Sequence, residues 1–177
     1  MTPHILLLRG INVGGRNMLP MRELTAIVQA AGGRDVRTHI QSGNVVCSVA
    51  PSSVAELQRT VTDAIQERFG FRTPVIARSF SEWSTVLAAS PFPDVEHVHV
   101  AFLADVPSPE RAARLDPDRS PGDHFVLVAR EVFLHLPNGL AKTRLSNAWL
   151  DSTLKTTSTV RNWRTVLALG EMAAGLA

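Results

Sequence analysis

The two halves of this chain repeat one order of apolar periods, and that order constrains the fold more than any single residue does. In the first half, His4 to Arg9 is a short apolar strand. Pro20 to Ala31 sets Leu24, Ile27, Val28 and Ala31 on one face at helical spacing and closes on Gly32-Gly33. Val36 to Ile40 alternates, and Ser42-Gly43-Asn44 turns the chain into Val45 to Val49, which reads as a hairpin. Ser53 and Glu56 have capping-box spacing at the head of a helix striped by Val54, Leu57, Val61, Ile65 and Phe69 and stopped by Gly70. Pro74 to Arg78 closes the half as a strand.

The second half runs the same way. A short helix around Ser81 to Ala89 leads to a junction marked by Pro91 and Pro93. His97 to Ala104 alternates as a strand, and Ser108-Pro109-Glu110 opens a helix with proline at its first position. His124 to Ala129 and Glu131 to Leu136 read as a second hairpin. Ala141 to Leu150 reads as a helix, with Leu145 and Trp149 a turn apart. An extended piece near Thr156 precedes a final helix from Val160, with Trp163, Val166, Leu167 and Gly170 inward. Each half is then strand, helix, strand, strand, helix, strand, the order of a ferredoxin-like plait. The expected fold class is α+β: two ferredoxin-like (βαββαβ) subdomains with an added C-terminal helix. The expected boundaries are 1–79 for the first subdomain, 80–95 for a connecting helix and linker, and 96–177 for the second subdomain and its helix.

At 177 residues, 45% hydrophobic and 19% charged, the composition is that of a globular chain. No apolar run approaches the roughly 20 residues that cross a bilayer, and no basic stretch followed by an apolar leader opens the sequence. Cys47 is the single cysteine, so neither an intrachain disulfide nor a cysteine zinc cluster forms. The expected location is cytoplasmic. Charge is uneven: residues 1–50 and 137–177 each carry five cations against two acids, while the middle is acidic. Two basic ends favour an anionic ligand if they meet.

The segment Leu8-Arg9-Gly10-Ile11-Asn12-Val13-Gly14-Gly15-Arg16-Asn17 is where that ligand would sit. Its glycines can present bare N–H groups, and Arg9 and Arg16 flank them. Their spacing fits neither the dinucleotide fingerprint nor the P-loop. Gln41 and Asn44, around the second motif, offer carboxamides to the same ligand, although Gln-Ser-Gly-Asn is also ordinary hairpin chemistry. At the C-terminus, Thr159 is placed to cap the final helix. Arg161, Asn162 and Arg164 then fall in its first turns, where the dipole disfavours cations and an anionic partner would offset that cost. His97 and His99 share a strand face at ligand spacing, but no third ligand accompanies them, so no metal is expected. No recognisable nucleophile motif is present, and nothing specifies catalysis or a cofactor. Nucleic acid is a weaker reading, because tyrosine is absent and the aromatics mostly follow helical stripes.

LLRGINVGG, HIQSGNVV and TVRNWRTV, in that order, resemble the bacterial proteins grouped as domain-of-unknown-function family 1697. The resemblance spans nearly the whole chain and implies a pair of ferredoxin-like α+β subdomains. It maps the family's loop onto Arg9, Gly10, Asn12, Gly14 and Gly15, its hairpin onto Gln41, Ser42, Gly43 and Asn44, and its C-terminal motif onto Arg161, Asn162 and Trp163. It implies no activity. The functional expectation is therefore binding of a phosphate-bearing or other anionic small molecule at the Gly/Arg-rich loop near the C-terminal helix. The alternatives are a structural or interaction module in which the motifs join the two subdomains, and a nucleic-acid binder.

Overall fold

The computed structural model describes residues 1–93 and 95–177; Asp94, inside the expected linker, lies outside the described residues. Two four-stranded antiparallel sheets carry the architecture, and six helices accompany them among the described residues. The first repeat runs β1 (Thr2–Leu8), α1 (Met21–Ala30), β2 (Arg34–His39), β3 (Asn44–Val49), α2 (Val54–Phe69), β4 (Val75–Ser79) and α3 (Phe80–Ala88). The second runs β5 (Val98–Leu103), α4 (Pro109–Ala112), β6 (His124–Val128), β7 (Glu131–His135), α5 (Asn147–Leu154), β8 (Ser158–Asn162) and α6 (Trp163–Ala174). The sheet orders correspond element for element: β2-β3-β1-β4 and β6-β7-β5-β8. The trailing helix is therefore part of the repeat, since α3 follows β4 as directly as α6 follows β8.

The chain divides into two compact units, one of Met1–Thr85 with Ala168–Ala177 and the other of Val86–Leu167. In the first, one face of the sheet (Leu6, Leu8, Val45, Cys47, Val49, Val75) packs on Leu24, Ile27 and Val28 of α1 and Leu57, Val61 and Ile65 of α2. In the second, Ala101, Leu103, Val132 and Leu134 pack on Leu145, Leu150 and Leu154. The alternate residues of the central strands, Ile5, Leu7, Val46, Val100, Phe102 and Phe133, are buried as well.

Three local expectations give way. The helix expected from Ala141 begins six residues later. Before it, Arg144 N–H donates to Ser120 Oγ and Leu145 N–H to Thr143 Oγ1, so these donors are diverted from a helical ladder. Ser146 then caps α5 by accepting from Trp149 N–H. The final helix begins at Trp163, not Val160: Ser158–Asn162 pairs residue by residue with β5, from Leu103↔Ser158 to His99↔Asn162. Its cap is accordingly Asn162, whose Oδ1 accepts from Thr165 N–H, and Thr159 lies in the strand. Of its expected inward face Trp163, Val166 and Gly170 are buried, joined by Leu169 and Ala173, whereas Leu167 is exposed. Finally, Ser53 makes no side-chain cap on α2, because it already lies inside a 3₁₀ turn, Pro51–Ser53, with its N–H on Ala50 O.

Candidate functional site

The longest feature between elements of the first unit is the connection from β1 to α1. It leaves the sheet with both backbone groups of Arg9 held: its N–H donates to Pro74 O, and its C=O accepts from Thr73 Oγ1 at 2.6 Å. Arg9 itself is half-buried. Gly10, Asn12, Gly14, Gly15 and Asn17 all take positive φ. Such a conformation is uncommon outside glycine and tolerated best by asparagine, so the residue types follow directly from the path of the chain.

Asn12 holds that path. Its Nδ2 donates to Leu19 O (2.9 Å) and Gln41 O (2.7 Å), and its Oδ1 accepts from Leu19 N–H (2.7 Å). Asn17 supports it, with Nδ2 donating to Gly10 O and its own C=O accepting from Asn12 N–H. Between them Val13 and Arg16 form a β-bridge, closed by Arg16 N–H on Val13 O at 3.0 Å. Two central residues with positive φ, Gly14 (+57°) and Gly15 (+72°), are the signature of a type I′ turn. A Cβ at either would meet nothing within 4 Å, so the tip opens outward. The exposed guanidinium of Arg16 has no bonded partner among the described residues.

The Gln-Ser-Gly-Asn turn lies against this loop through the Asn12–Gln41 bond. Buried Asn44 closes the turn by donating to His39 O and Ser42 Oγ, while the Gln41 carboxamide is exposed and makes no hydrogen bond among the described residues. Gly43 has a stricter role: φ is +75°, and a Cβ there would stand 2.7 Å from Leu8 Cβ and 3.0 Å from Ile11 Cδ1. Thr73 was missed at the sequence level, since a lone threonine before a strand gives no signal. The exposed apolar surface of Val13 (65%), Met18 (59%) and Ile40 (54%) was missed too. Ile40 also takes φ +50°, an outlier for a β-branched residue.

Arg161, Asn162 and Arg164 belong to the second unit. Arg161 is buried in β8, where its Nη1 donates to Thr159 Oγ1 (2.8 Å) and Val160 O (2.9 Å), and burial pulls its pKa down to about 10. Arg78 occupies the equivalent place in β4 and bonds the equivalent carbonyl, Ala77 O. Each arginine pairs with the corresponding residue of its neighbouring strand, Ile5 or Val100. Asn162 is spent on capping α6, and Arg164 is exposed, with no bonded partner among the described residues. His97 turns its ring edge-on to His135 at 6.2 Å. His97 precedes β5, so the two histidines do not share a strand face; His99, within β5, has a buried Nδ1 with no hydrogen-bond partner among the described residues and a pKa lowered by burial. Among the described residues no three histidine, cysteine or acidic side chains are grouped to hold a metal, and no helix is long and apolar enough to cross a membrane.

A family model described as "Protein of unknown function (DUF1697)" matches residues 1–133. No curated protein matches. Among solved structures, the conserved bacterial protein SP0830 from Streptococcus pneumoniae shares 22% identity over 97% of this chain and 98% of its own, with a TM-score of 0.75. That likeness is one of fold.

Proposed function

Since the chain belongs to the DUF1697 family, whose description carries no activity, we propose from its own loop that it binds a phosphate-bearing or other anionic small molecule. The observation that supports this reading is the preorganised Asn12–Asn17 loop. Three bonds from one asparagine hold an outward-facing Gly-Gly tip beside the unpaired Arg16 guanidinium and the exposed Gln41 carboxamide. A loop held in its final shape before a ligand arrives loses little entropy on binding, and guanidinium and carboxamide donors both suit phosphate or carboxylate oxygens. Arg161 adds little here because it is committed to its own strand. We further take each sheet with its two covering helices to be a ferredoxin-like plait, in a bacterial and cytoplasmic protein.

The test is thermal melting against inorganic phosphate, nucleotides, sugar phosphates and carboxylates. A ligand at 100 times its Kd adds about 2.7 kcal/mol, a rise of roughly 5–11 °C for a chain of this size. Arg16→Ala, at an exposed position, abolishes the rise without changing the unliganded Tm. No shift across the panel, or one that Arg16→Ala leaves intact, defeats the reading.

A second reading is an interaction module, favoured by the exposed Val13, Met18 and Ile40 around the same loop. A nucleic-acid reading has less support. Base stacking on a sheet needs an open face with aromatics, and the central strands of both sheets are buried on both faces.

A further inference from the structure

The repeat makes β2 and β6 equivalent edges of their sheets, and the two edges are built differently. β2 reads Arg34-Asp35-Val36-Arg37-Thr38-His39, and its ladder to β3 is interrupted between Arg34 and Arg37, where Asp35 takes φ +52°. Charge and bulging are how sheet edges avoid pairing with other chains. β6 reads His124-Phe125-Val126-Leu127-Val128, with no Asp, Glu, Lys, Arg or proline and an unbroken register to β7 from His124↔His135 to Val128↔Glu131. Its composition is strongly strand-forming, and the guards present on β2 are absent.

The ladder also defines which backbone groups of β6 are open. Leu136 N–H donates to His97 O and Leu103 N–H to Arg130 O, so even-numbered residues along β7 address β5. Successive residues of a strand turn their backbone groups to opposite sides. Glu131, Phe133 and His135 therefore address β6, and their partners Val128, Val126 and His124 are turned inward. The N–H and C=O groups of Phe125 and Leu127 are left on the outer edge, placed symmetrically about Val126.

We propose that β6 is the seam of a homodimer, pairing antiparallel with β6 of a second copy about a two-fold axis through Val126. In this register Phe125 lies opposite Leu127 of the second copy and the reverse, and all four outward groups are satisfied. Val126 (38% exposed) meets its own copy on the axis, and Val128 (39% exposed) meets His124 of the second copy. A two-fold contact sets the residue on its axis against its own kind, so a charge at position 126 would oppose a like charge. An uncharged side chain on the axis is a requirement of self-pairing, whereas a foreign strand could match a charge there by its opposite. The two four-stranded sheets of the pair would become one of eight.

Sedimentation velocity from micromolar to near-millimolar protein tests the seam. A monomer–dimer equilibrium is expected, with Val126→Lys monomeric throughout and its circular dichroism unchanged. Opposed residues outside the hydrogen-bonded pairs stand about 4.5 Å apart at Cα, within disulfide range. Oxidised Val126→Cys should therefore run as a covalent dimer, whereas Val106→Cys, exposed on a loop, should not. A chain that stays monomeric and yields no Val126→Cys cross-link overturns the proposal. So does a dimer that Val126→Lys leaves intact, since it would use another face.

Discussion

Gly43 and Gly14 share a left-handed backbone but face different surroundings, and substitution separates them. Alanine at Gly14 meets open space and loses only the conformational term, about 1 kcal/mol. Alanine at Gly43 adds overpacking against Leu8 and Ile11, for a total of about 3 kcal/mol. Urea midpoints of the two variants should differ accordingly, and equal losses would mean that the turn shifts to make room. Cys47 gives a pH signature. Burial raises its thiol from 9.0 to about 11, so the folded chain keeps a proton that the unfolded chain releases. This contribution is complete below pH 9 and is lost as pH climbs towards 11, at roughly 2–3 kcal/mol in all. Arg161 acts oppositely above about pH 10, where the unfolded chain holds more protons. Between pH 9 and 10 the Cys47 effect is the larger of the two, and Cys47→Ala should flatten the fall in denaturant stability there.

The same Ser-x-x-Glu signature occurs at the heads of two helices with opposite outcomes. At α3, Glu82 N–H donates to Ser79 Oγ and Ser79 N–H to Glu82 Oε2, a complete capping box. At α2, Ser53 is drawn into the preceding 3₁₀ turn and caps nothing. Ser79→Ala should therefore cost about 1 kcal/mol in a thermal melt, and Ser53→Ala close to nothing. A comparable loss at Ser53 would show that its hydroxyl caps in solution. β8 shows how far local sequence carries an element: its Thr159-Val160-Arg161 run reads locally as the cap and first turn of a helix, and pairing with β5 makes it a strand.

At the scale of the whole chain, the last ten residues group with the first unit although they are farthest from it in sequence. Leu169 and Ala173 of this segment are fully buried. A chain ending at Leu167 should lose amide-exchange protection in β1 and β3 at least as much as in β5 and β7. Loss confined to β5 and β7 would contradict the grouping. The order of elements, the hairpins, the helix stripes and the Gly/Asn loop were all readable from the sequence, because period and turn chemistry are local properties. The sheet orders, the N-terminus of α5 and the strand containing Arg161 were not, because each depends on a partner distant in the chain. The same division runs through the candidate site. Sequence alone identified Gly10, Gly14 and Gly15 as residues suited to an irregular backbone. Only the tertiary structure assigned the Asn12 carboxamide to Leu19 and Gln41 and buried Arg161 in a sheet, since a hydrogen bond's partner is set by where distant segments meet.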